Sequence, residues 1–155
     1  MSEGAADRFL ARAWGAPSLV LGFFAADRAT KIWALDWLRE RGSVAVLPFF
    51  HFTYVENTGA AFGVGARRNG FFIVFSAFLL GALLLMRRRW PKDNLWLQYG
   101  SLLVAAGALG NLYDRISYGF VVDFLDFLVW PVFNVADSCV SVGAGCLAWG
   151  LRKIP

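Results

Sequence analysis

The stretch from Asn69 to Met86, NGFFIVFSAFLLGALLLM, carries no charged side chain and is mostly apolar. A helix that crosses the hydrocarbon core of a bilayer needs about 20 such residues, with a range of roughly 17 to 25. The stretch from Asn94 to Tyr113 has the same character and also reaches this length. Both stretches therefore predict helices that span a membrane.

The composition of the whole chain favours the same surroundings. Of the 155 residues, 58% are hydrophobic, and the chain contains seven Trp and fifteen Phe. Soluble domains contain about 45–50% apolar residues even when Gly is counted among them. The length is that of one domain, so we predict a single integral membrane domain.

Two further apolar runs, Ala13 to Ala26 and Ser138 to Leu151, are shorter. They reach spanning length only if they include the polar residues at one end, Asp27 to Lys31 and Asn134 to Asp137 respectively. With both included, the sequence predicts an all-α membrane protein with four transmembrane helices. Their approximate bounds are 13–33, 69–86, 94–114 and 132–151.

The first run has a competing interpretation. Arg8 and Arg12 precede an apolar core that ends in Phe-Ala-Ala, which resembles a cleavable signal peptide with small residues at its cleavage site. Cleavage there would leave three spans and discard the pair formed by Asp27 and Lys31. We therefore favour a retained first helix.

The distribution of basic residues predicts the orientation. Under the positive-inside rule, the more basic side of a membrane protein faces the cytoplasm. Both termini and the connection between the second and third spans then lie in the cytoplasm, and the isoelectric point of 9.4 reflects topology and anionic lipid headgroups rather than nucleic acid. The cytoplasmic set is Arg8, Arg12, Arg87, Arg88, Arg89, Lys92, Arg152 and Lys153, against the smaller opposing set Arg39, Arg41, Arg67 and Arg68.

Two connections lie on the outer side in this topology. Residues 36–68 are β-branched and aromatic up to Val55 and then turn at Asn-Thr-Gly, which predicts a small extracytoplasmic β-rich cradle, with an ordinary loop as the alternative. Trp33 and Trp37 would anchor it at the membrane interface. Residues 114–131 are too apolar for a free loop, so we expect them to dip against the bilayer or the bundle, with Pro131 starting the fourth helix.

Polar residues gather at the outer ends of the predicted spans. An ionisable group at the centre of a membrane helix costs at least about 2.5–3.5 kcal/mol and usually faces a partner or a cavity. Several at one depth therefore predict a shared polar site, although lipid headgroups are a sufficient explanation for Arg28, Asp36 and Asp126. The gathered residues are Asp27, Lys31, Asn57, Asn111, Asp114, Arg115, Asp123, Asn134 and Asp137.

Several chemistries are excluded by the residue pattern. The sequence contains no Gly-x-Ser-x-Gly, no plausible Ser/His pair and no His-Glu-x-x-His. His51 has no Cys or His at ligand spacing, so neither a zinc site nor any cofactor is predicted. Cys139 and Cys146 would lie about 10.5 Å apart along one helix, too far for a disulfide, and are interpreted as packing thiols.

Paired carboxylates are the chemistry that remains. Two Asp side chains can share one proton, so that one takes a proton from water while the other protonates the carbonyl oxygen of an amide. Asp123 and Asp137 would be about 21 Å apart on one helix, so a bend near Pro131 has to bring them together.

Five ordered motifs resemble those of the bacterial lipoprotein signal peptidase family, signal peptidase II, a family of membrane aspartic peptidases. They are DRATK at 27–31, NTGAAF at 57–62, GALGNLYDR at 107–115, VVDF at 121–124 and FNVAD at 133–137.

This resemblance implies a multi-pass enzyme of the bacterial inner membrane with its active site near the outer leaflet. Its substrates would be prolipoproteins, cut just before a cysteine that carries diacylglycerol, and its other partners would be membrane lipids. The resemblance implies that Asp123 and Asp137 form the catalytic dyad. It also implies supporting or substrate-binding roles for Asp27, Lys31, Asn57, Gly107, Asn111, Arg115 and Asn134.

Two other classes of membrane protein are alternatives to a peptidase. A proton-coupled transporter would favour polar groups along a path through the bilayer, whereas the inner halves of the second to fourth spans are apolar. A noncatalytic scaffold gives no reason to gather two Asp and two Asn at one depth. An aspartic peptidase is the function that the sequence favours.

Overall fold

The computed structural model describes residues 3–59 and 69–152, with side chains from residue 17 onward. The chain is mostly helical with one small antiparallel sheet, which agrees with the helix count predicted from the sequence. The helices are α1 (Glu3–Trp33), α2 (Asn69–Arg89), α3 (Leu95–Ser117) and α4 (Val135–Leu151), and a π-helical turn, Ala34–Leu38, extends α1. The strands are β1 (Ser43–Leu47), β2 (Phe50–Asn57) and β3 (Val121–Asp126).

The third helix is the centre of the bundle, because α1, α2 and α4 all pack against it. Glycines let α3 and α4 approach closely: a Cβ added to Gly100 would lie 2.9 Å from the carbonyl oxygen of Gly143, and one added to Gly143 would lie 2.7 Å from that of Gly100. Such contacts stabilise helix pairs in lipid, where no hydrophobic force drives association.

One helix among the described residues, α2, is both long and apolar enough to cross a membrane by itself. The helix α4 is also apolar, but its 17 residues are fewer than such a span requires. Large apolar side chains of α2 face outward, with 62% of Phe71, 69% of Val74 and 72% of Phe78 exposed. An exposed apolar surface of this kind suits contact with lipid.

Both connections that were predicted to lie on the outer side contribute to the sheet, whose order is β1-β2-β3. The first connection supplies β1 and β2, as predicted for residues 36–57, whereas residues 60–68 lie outside the described part of the chain. Residues 114–131 are expected to dip against the bilayer or the bundle, and residues 121–126 do pack against α1 and α3. They also form the strand β3, which pairs with β2 through Asn57 opposite Val121 and Val55 opposite Asp123. The β-branched and aromatic residues of this segment suit a buried strand.

The fourth helix begins later than expected. Asn134 is its N-cap: the Asn134 side chain accepts a hydrogen bond from the backbone N–H of Asp137 at 2.8 Å, and the Asp137 carboxylate accepts one from the backbone N–H of Asn134 at 3.2 Å. This reciprocal cap fixes the start at Val135. The prediction that Pro131 starts the helix is therefore wrong, and Pro131 lies in the irregular segment between β3 and α4.

The sheet is joined to α1 by an aromatic core. Trp33 stacks on Trp37 with ring centroids 5.4 Å apart and also contacts the rings of Phe52 and Phe124 edge to face. The two Trp residues that were predicted to anchor this segment pack against each other, and Trp33 holds the sheet against the end of α1. This packing sets the position of β3 relative to the helices.

Candidate active site

The two predicted catalytic carboxylates come from different elements. Asp123 lies in β3 and is 1% exposed, while Asp137 lies in the first turn of α4. Asn134 links them, because its side chain donates to Asp123 Oδ1 at 2.6 Å and accepts from the backbone N–H of Asp137. The irregular connection between β3 and α4, which bends at residues 128–130 next to Pro131, brings the pair together, as predicted from the sequence.

The Asp123 carboxyl accepts two amide hydrogen bonds. Asn134 Nδ2 donates to Oδ1, and Asn57 Nδ2 donates to Oδ2 at 2.8 Å. Burial raises the pKa of Asp123 to about 7, and the neighbouring charge of Asp137 adds to this rise, while the two amide donors oppose it. A carboxyl with a pKa near neutrality can hold or release a proton at the pH where an enzyme works.

The Asp137 carboxylate is held by one side chain and one backbone group. Asn111 Nδ2 donates to Oδ1 at 2.7 Å, and the backbone N–H of Asn134 donates to Oδ2 at 3.2 Å. A carboxylate in the first turn of a helix is also stabilised by the helix dipole. Both carboxyl groups of the pair are therefore oriented by neutral N–H donors.

Beside the pair lies a buried set of four charges, which we call the ionic cluster: Asp27, Arg28, Lys31 and Asp114. Lys31 Nζ lies 2.8 Å from Asp114 Oδ2 and 3.1 Å from Asp27 Oδ2. Arg28 contacts the same two carboxylates, at 2.7 Å from Asp114 and 3.0 Å from Asp27. The cluster contains two cations and two anions, so it is neutral.

Two of the residues that we assigned to lipid headgroups are instead bonded within the protein. Arg28 belongs to the ionic cluster. Asp126 accepts hydrogen bonds from the hydroxyl of Thr53 at 2.7 Å and from the backbone N–H of Leu128 at 2.8 Å. Lipid headgroups are therefore not needed to explain either residue, because each has polar partners within the protein.

Asp27 connects the cluster to the start of α4. Its Oδ1 accepts a hydrogen bond from the backbone N–H of Ala136 at 3.0 Å, which satisfies one of the free N–H groups of the first turn. Glycines of α3 make room for this contact: a Cβ on Gly110 would lie 2.5 Å from Asp27 Oδ2, and one on Gly107 would overlap the carbonyl oxygen of Ala136. The predicted residue Gly107 therefore lies at the contact between α3 and the first turn of α4.

Arg115 contacts the last described residue of the connection between α1 and α2. Its guanidinium donates to the carbonyl oxygen of Gly59 at 2.8 Å and lies over the ring of Phe72, 4.9 Å from the centroid. Asn57 accepts from the backbone N–H of Gly59 at 3.0 Å. Asn57 and Arg115 thus hold the same turn, and Ala60 to Phe62 of the predicted motif lie outside the described residues.

All nine predicted site residues therefore lie in one connected region, but two of its members were missed. Asp114 was among the gathered polar residues without an assigned role, and Arg28 was assigned to lipid. The signal that could have found them is charge balance: in the predicted topology Lys31 and Asp27 would need partners of opposite charge, and Asp114 and Arg28 are the nearest remaining ones at the same predicted depth.

No set of three or more His, Cys, Asp or Glu within residues 3–59 and 69–152 is arranged to hold a metal ion. Cys139 and Cys146 are both free thiols. What the pair can do chemically is to hold one proton between two carboxyl groups and pass it to or from a bound reactant.

Comparison with known proteins identifies the family. Residues 19–152 match the family model described as Signal peptidase (SPase) II. The chain belongs to the signal peptidase II family. It is therefore a protease of the kind that the motifs predicted, and the recognition made from the sequence is confirmed.

Named relatives of this signal peptidase II chain agree. A lipoprotein signal peptidase of Pelotomaculum thermopropionicum is 46% identical over 81% of this chain and 83% of the relative. One from Thermodesulfovibrio yellowstonii is 44% identical over 76% of this chain and 80% of the relative. A solved structure of a bacterial membrane enzyme superposes with a TM-score of 0.81 at 32% identity, covering 90% of this chain and 88% of the other.

Proposed function

We propose that this signal peptidase II is a membrane-embedded aspartic endopeptidase that removes the signal peptide from prolipoproteins. The cut lies just before a cysteine that carries a diacylglyceryl group. The observation that carries this proposal is the carboxyl pair formed by the buried Asp123 and the half-buried Asp137, joined through Asn134.

The reaction needs one proton shared by the pair. The ionised carboxylate takes a proton from water as the water oxygen attacks the scissile carbonyl carbon, and the protonated carboxyl gives its proton to the carbonyl oxygen. When the tetrahedral intermediate collapses, the carbon–nitrogen bond breaks and the leaving nitrogen takes a proton from the pair. One hydroxyl of the intermediate gives its proton back to the pair as the new carboxyl group forms, so the pair again holds one proton. Asn57, Asn111 and Asn134 hold the two carboxyl groups in place for both steps.

The proposed setting is the bacterial inner membrane. In it, the approximate spans 13–33, 69–86, 94–114 and 132–151 cross the bilayer, both termini are cytoplasmic and the carboxyl pair lies near the outer leaflet. The exposed apolar surface of α2 and the basic residues that end it, Arg87 to Arg89, support this arrangement. Lipids then contact the helices, and no nucleic acid takes part.

The proposal is tested with the purified protein and a diacylated prolipoprotein, by following the shorter product. Asp123→Asn and Asp137→Asn should each lower the cleavage rate by about 10³-fold or more, because an amide keeps the shape but does not carry the shared proton. Asp126→Asn is the matched control, since Asp126 lies in the same strand but bonds Thr53, and its rate should stay near that of the wild type.

Turnover close to that of the wild type in either dyad variant would exclude the paired-aspartate mechanism.

Activity should also survive a strong chelator. Loss of activity with a chelator, restored by a divalent ion, would instead indicate a metal hydrolase.

A further inference from the structure

The side-chain amide of Asn111 lies between the ionic cluster and the carboxyl pair. Its Oδ1 accepts from Lys31 Nζ at 2.8 Å, and its Nδ2 donates to Asp137 Oδ1 at 2.7 Å. An ammonium group only donates and an ionised carboxylate only accepts, so both neighbours require the same orientation of the amide. A flipped amide would present a donor to the ammonium and an acceptor to the carboxylate.

We propose that Lys31 is a positioning residue for the peptidase reaction: its ammonium fixes the orientation of the Asn111 amide, so that the amide N–H faces Asp137. This inference rests on the proposed function of the carboxyl pair and assigns Lys31 a role that does not involve contact with the substrate.

The position of Lys31 is itself fixed on all sides. The side chain is fully buried, and its three N–H groups are matched by three acceptors, on Asp27, Asp114 and Asn111. No donor of the ammonium is left for a substrate or a water molecule. Lys31 therefore acts on the reaction through Asn111.

Asn134 makes a second, weaker contact with the same amide. Its Nδ2 lies 3.2 Å from Asn111 Oδ1, but it also donates to Asp123 Oδ1 at 2.6 Å and lies 3.3 Å from the carbonyl oxygen of Val122. The contact with Asn111 is thus longer than that of Lys31 and is shared among several acceptors. Lys31 is the dominant constraint on the orientation of the amide.

A test has to separate the donated hydrogen bond from the charge of Lys31. Lys31→Met removes both and leaves the ionic cluster with one excess negative charge. Lys31→Met combined with Asp114→Asn restores neutrality but still lacks the donor. Lys31→Gln combined with Asp114→Asn has the same charge and a side chain of the same length as Met, but it keeps N–H donors.

The two double variants are compared in detergent with a diacylated prolipoprotein. The Met double variant should lose about 10–100-fold in kcat with KM within about twofold of the wild-type value, because a misoriented catalytic carboxylate slows chemistry more than binding. The Gln double variant should be at least about fivefold faster than the Met double variant. Equal kcat values in the two double variants would overturn the inference.

A spectroscopic measurement reports the orientation without turnover. In protein labelled with 15N at Asn, the side-chain resonances of Asn111 are assigned by their loss in Asn111→Asp. They should match the wild type in the Gln double variant and shift or broaden in the Met double variant. Unchanged Asn111 resonances in the Met double variant would overturn the inference.

This measurement also distinguishes the inference from the proposed function. If Asp137→Asn cleaves at the wild-type rate, the paired-aspartate mechanism fails, while the Asn111 resonances still report whether Lys31 orients the amide. Melting temperatures of the double variants in detergent verify that both are folded, and the comparison between them holds even if Lys31→Met alone does not fold.

Discussion

The carboxyl pair and the ionic cluster are adjacent, yet they are stabilised in opposite ways. The pair is surrounded by neutral amides: Asn57 and Asn134 donate to Asp123, and Asn111 donates to Asp137. None of these donors carries a charge. The two proposed catalytic carboxyl groups are therefore oriented without a cation in direct contact.

In the ionic cluster, by contrast, each carboxylate contacts two cations. Asp27 and Asp114 each lie within 3.1 Å of both Arg28 and Lys31. Each of these carboxylates is thus held by charged hydrogen-bond donors, which bind more strongly than neutral ones. Such groups suit a rigid support better than a proton-transfer step.

One polar region therefore has two tasks: it orients the carboxyl pair, and it compensates buried charge. Neutral donors hold Asp123 in place while its pKa stays at about 7, so that it can carry the shared proton. The charged groups of the ionic cluster do not contact the pair directly, and the side chain of Asn111 links Lys31 to Asp137. Replacing a carboxylate should therefore stop chemistry in the first region and lower stability in the second.

The largest effect expected in the ionic cluster is on stability. Asp114→Asn leaves Arg28 and Lys31 with a single carboxylate, and an uncompensated buried charge should lower the free energy of unfolding by about 3–5 kcal/mol. Glu56→Gln is the matched control, because it removes an exposed ion pair with Arg39, worth about 0–1 kcal/mol.

Unfolding in detergent with increasing denaturant measures both variants. Equal stability of Asp114→Asn and Glu56→Gln would contradict the distinction between a buried cluster and an exposed pair. Adding Lys31→Met to Asp114→Asn restores neutrality. If this second change recovers part of the lost stability, the loss comes from the uncompensated charge of the buried cluster.

A smaller effect is expected where α3 meets the first turn of α4. Gly107→Ala introduces a Cβ that overlaps the carbonyl oxygen of Ala136, so the turn that carries Asp137 has to shift. Overpacking of this kind costs about 1–3 kcal/mol, and the cleavage rate should fall with it. Gly145→Ala in α4 is the control, because a Cβ there meets no atom within 4 Å.

The cleavage rate and melting temperature of the two alanine variants test this prediction. If Gly107→Ala behaves like Gly145→Ala in both measurements, the close approach of α3 to α4 is not needed to position the carboxyl pair.

The sequence predicted the helices and the gathering of polar residues well, because both depend on local composition. Uncharged runs such as Asn69 to Met86 identify helices, and polar residues at their ends share one depth in any four-span topology. The motif resemblance identified the family, although the roles of individual site residues stay predictions.

What the sequence did not predict depends on long-range pairing. The strand β3 forms because β2 pairs with it; the composition of 121–126 suits a strand, but nothing local identifies that partner. Likewise, Arg28 is paired through Asp114, a residue on a different helix. The late start of α4 follows from the cap made by Asn134, which prevails over the helix-starting preference of Pro131.

The smallest predicted effect concerns pH and sharpens the contrast between neutral and charged support. Asn57 donates to Asp123 and lowers its pKa, so Asn57→Ala should raise that pKa above its value of about 7. The rise should be about half to one pH unit, since a hydrogen bond contributes about 0.5–1.5 kcal/mol and one pKa unit corresponds to about 1.4 kcal/mol. The active form carries one proton on the pair, and a higher pKa keeps that proton bound at higher pH. The alkaline fall of kcat/KM should therefore move to higher pH in Asn57→Ala, whereas Asn94→Ala, at the N-cap of α3, should leave it unchanged. An alkaline limb that stays in place, or moves to lower pH, would mean that Asn57 does not act on the proton of Asp123.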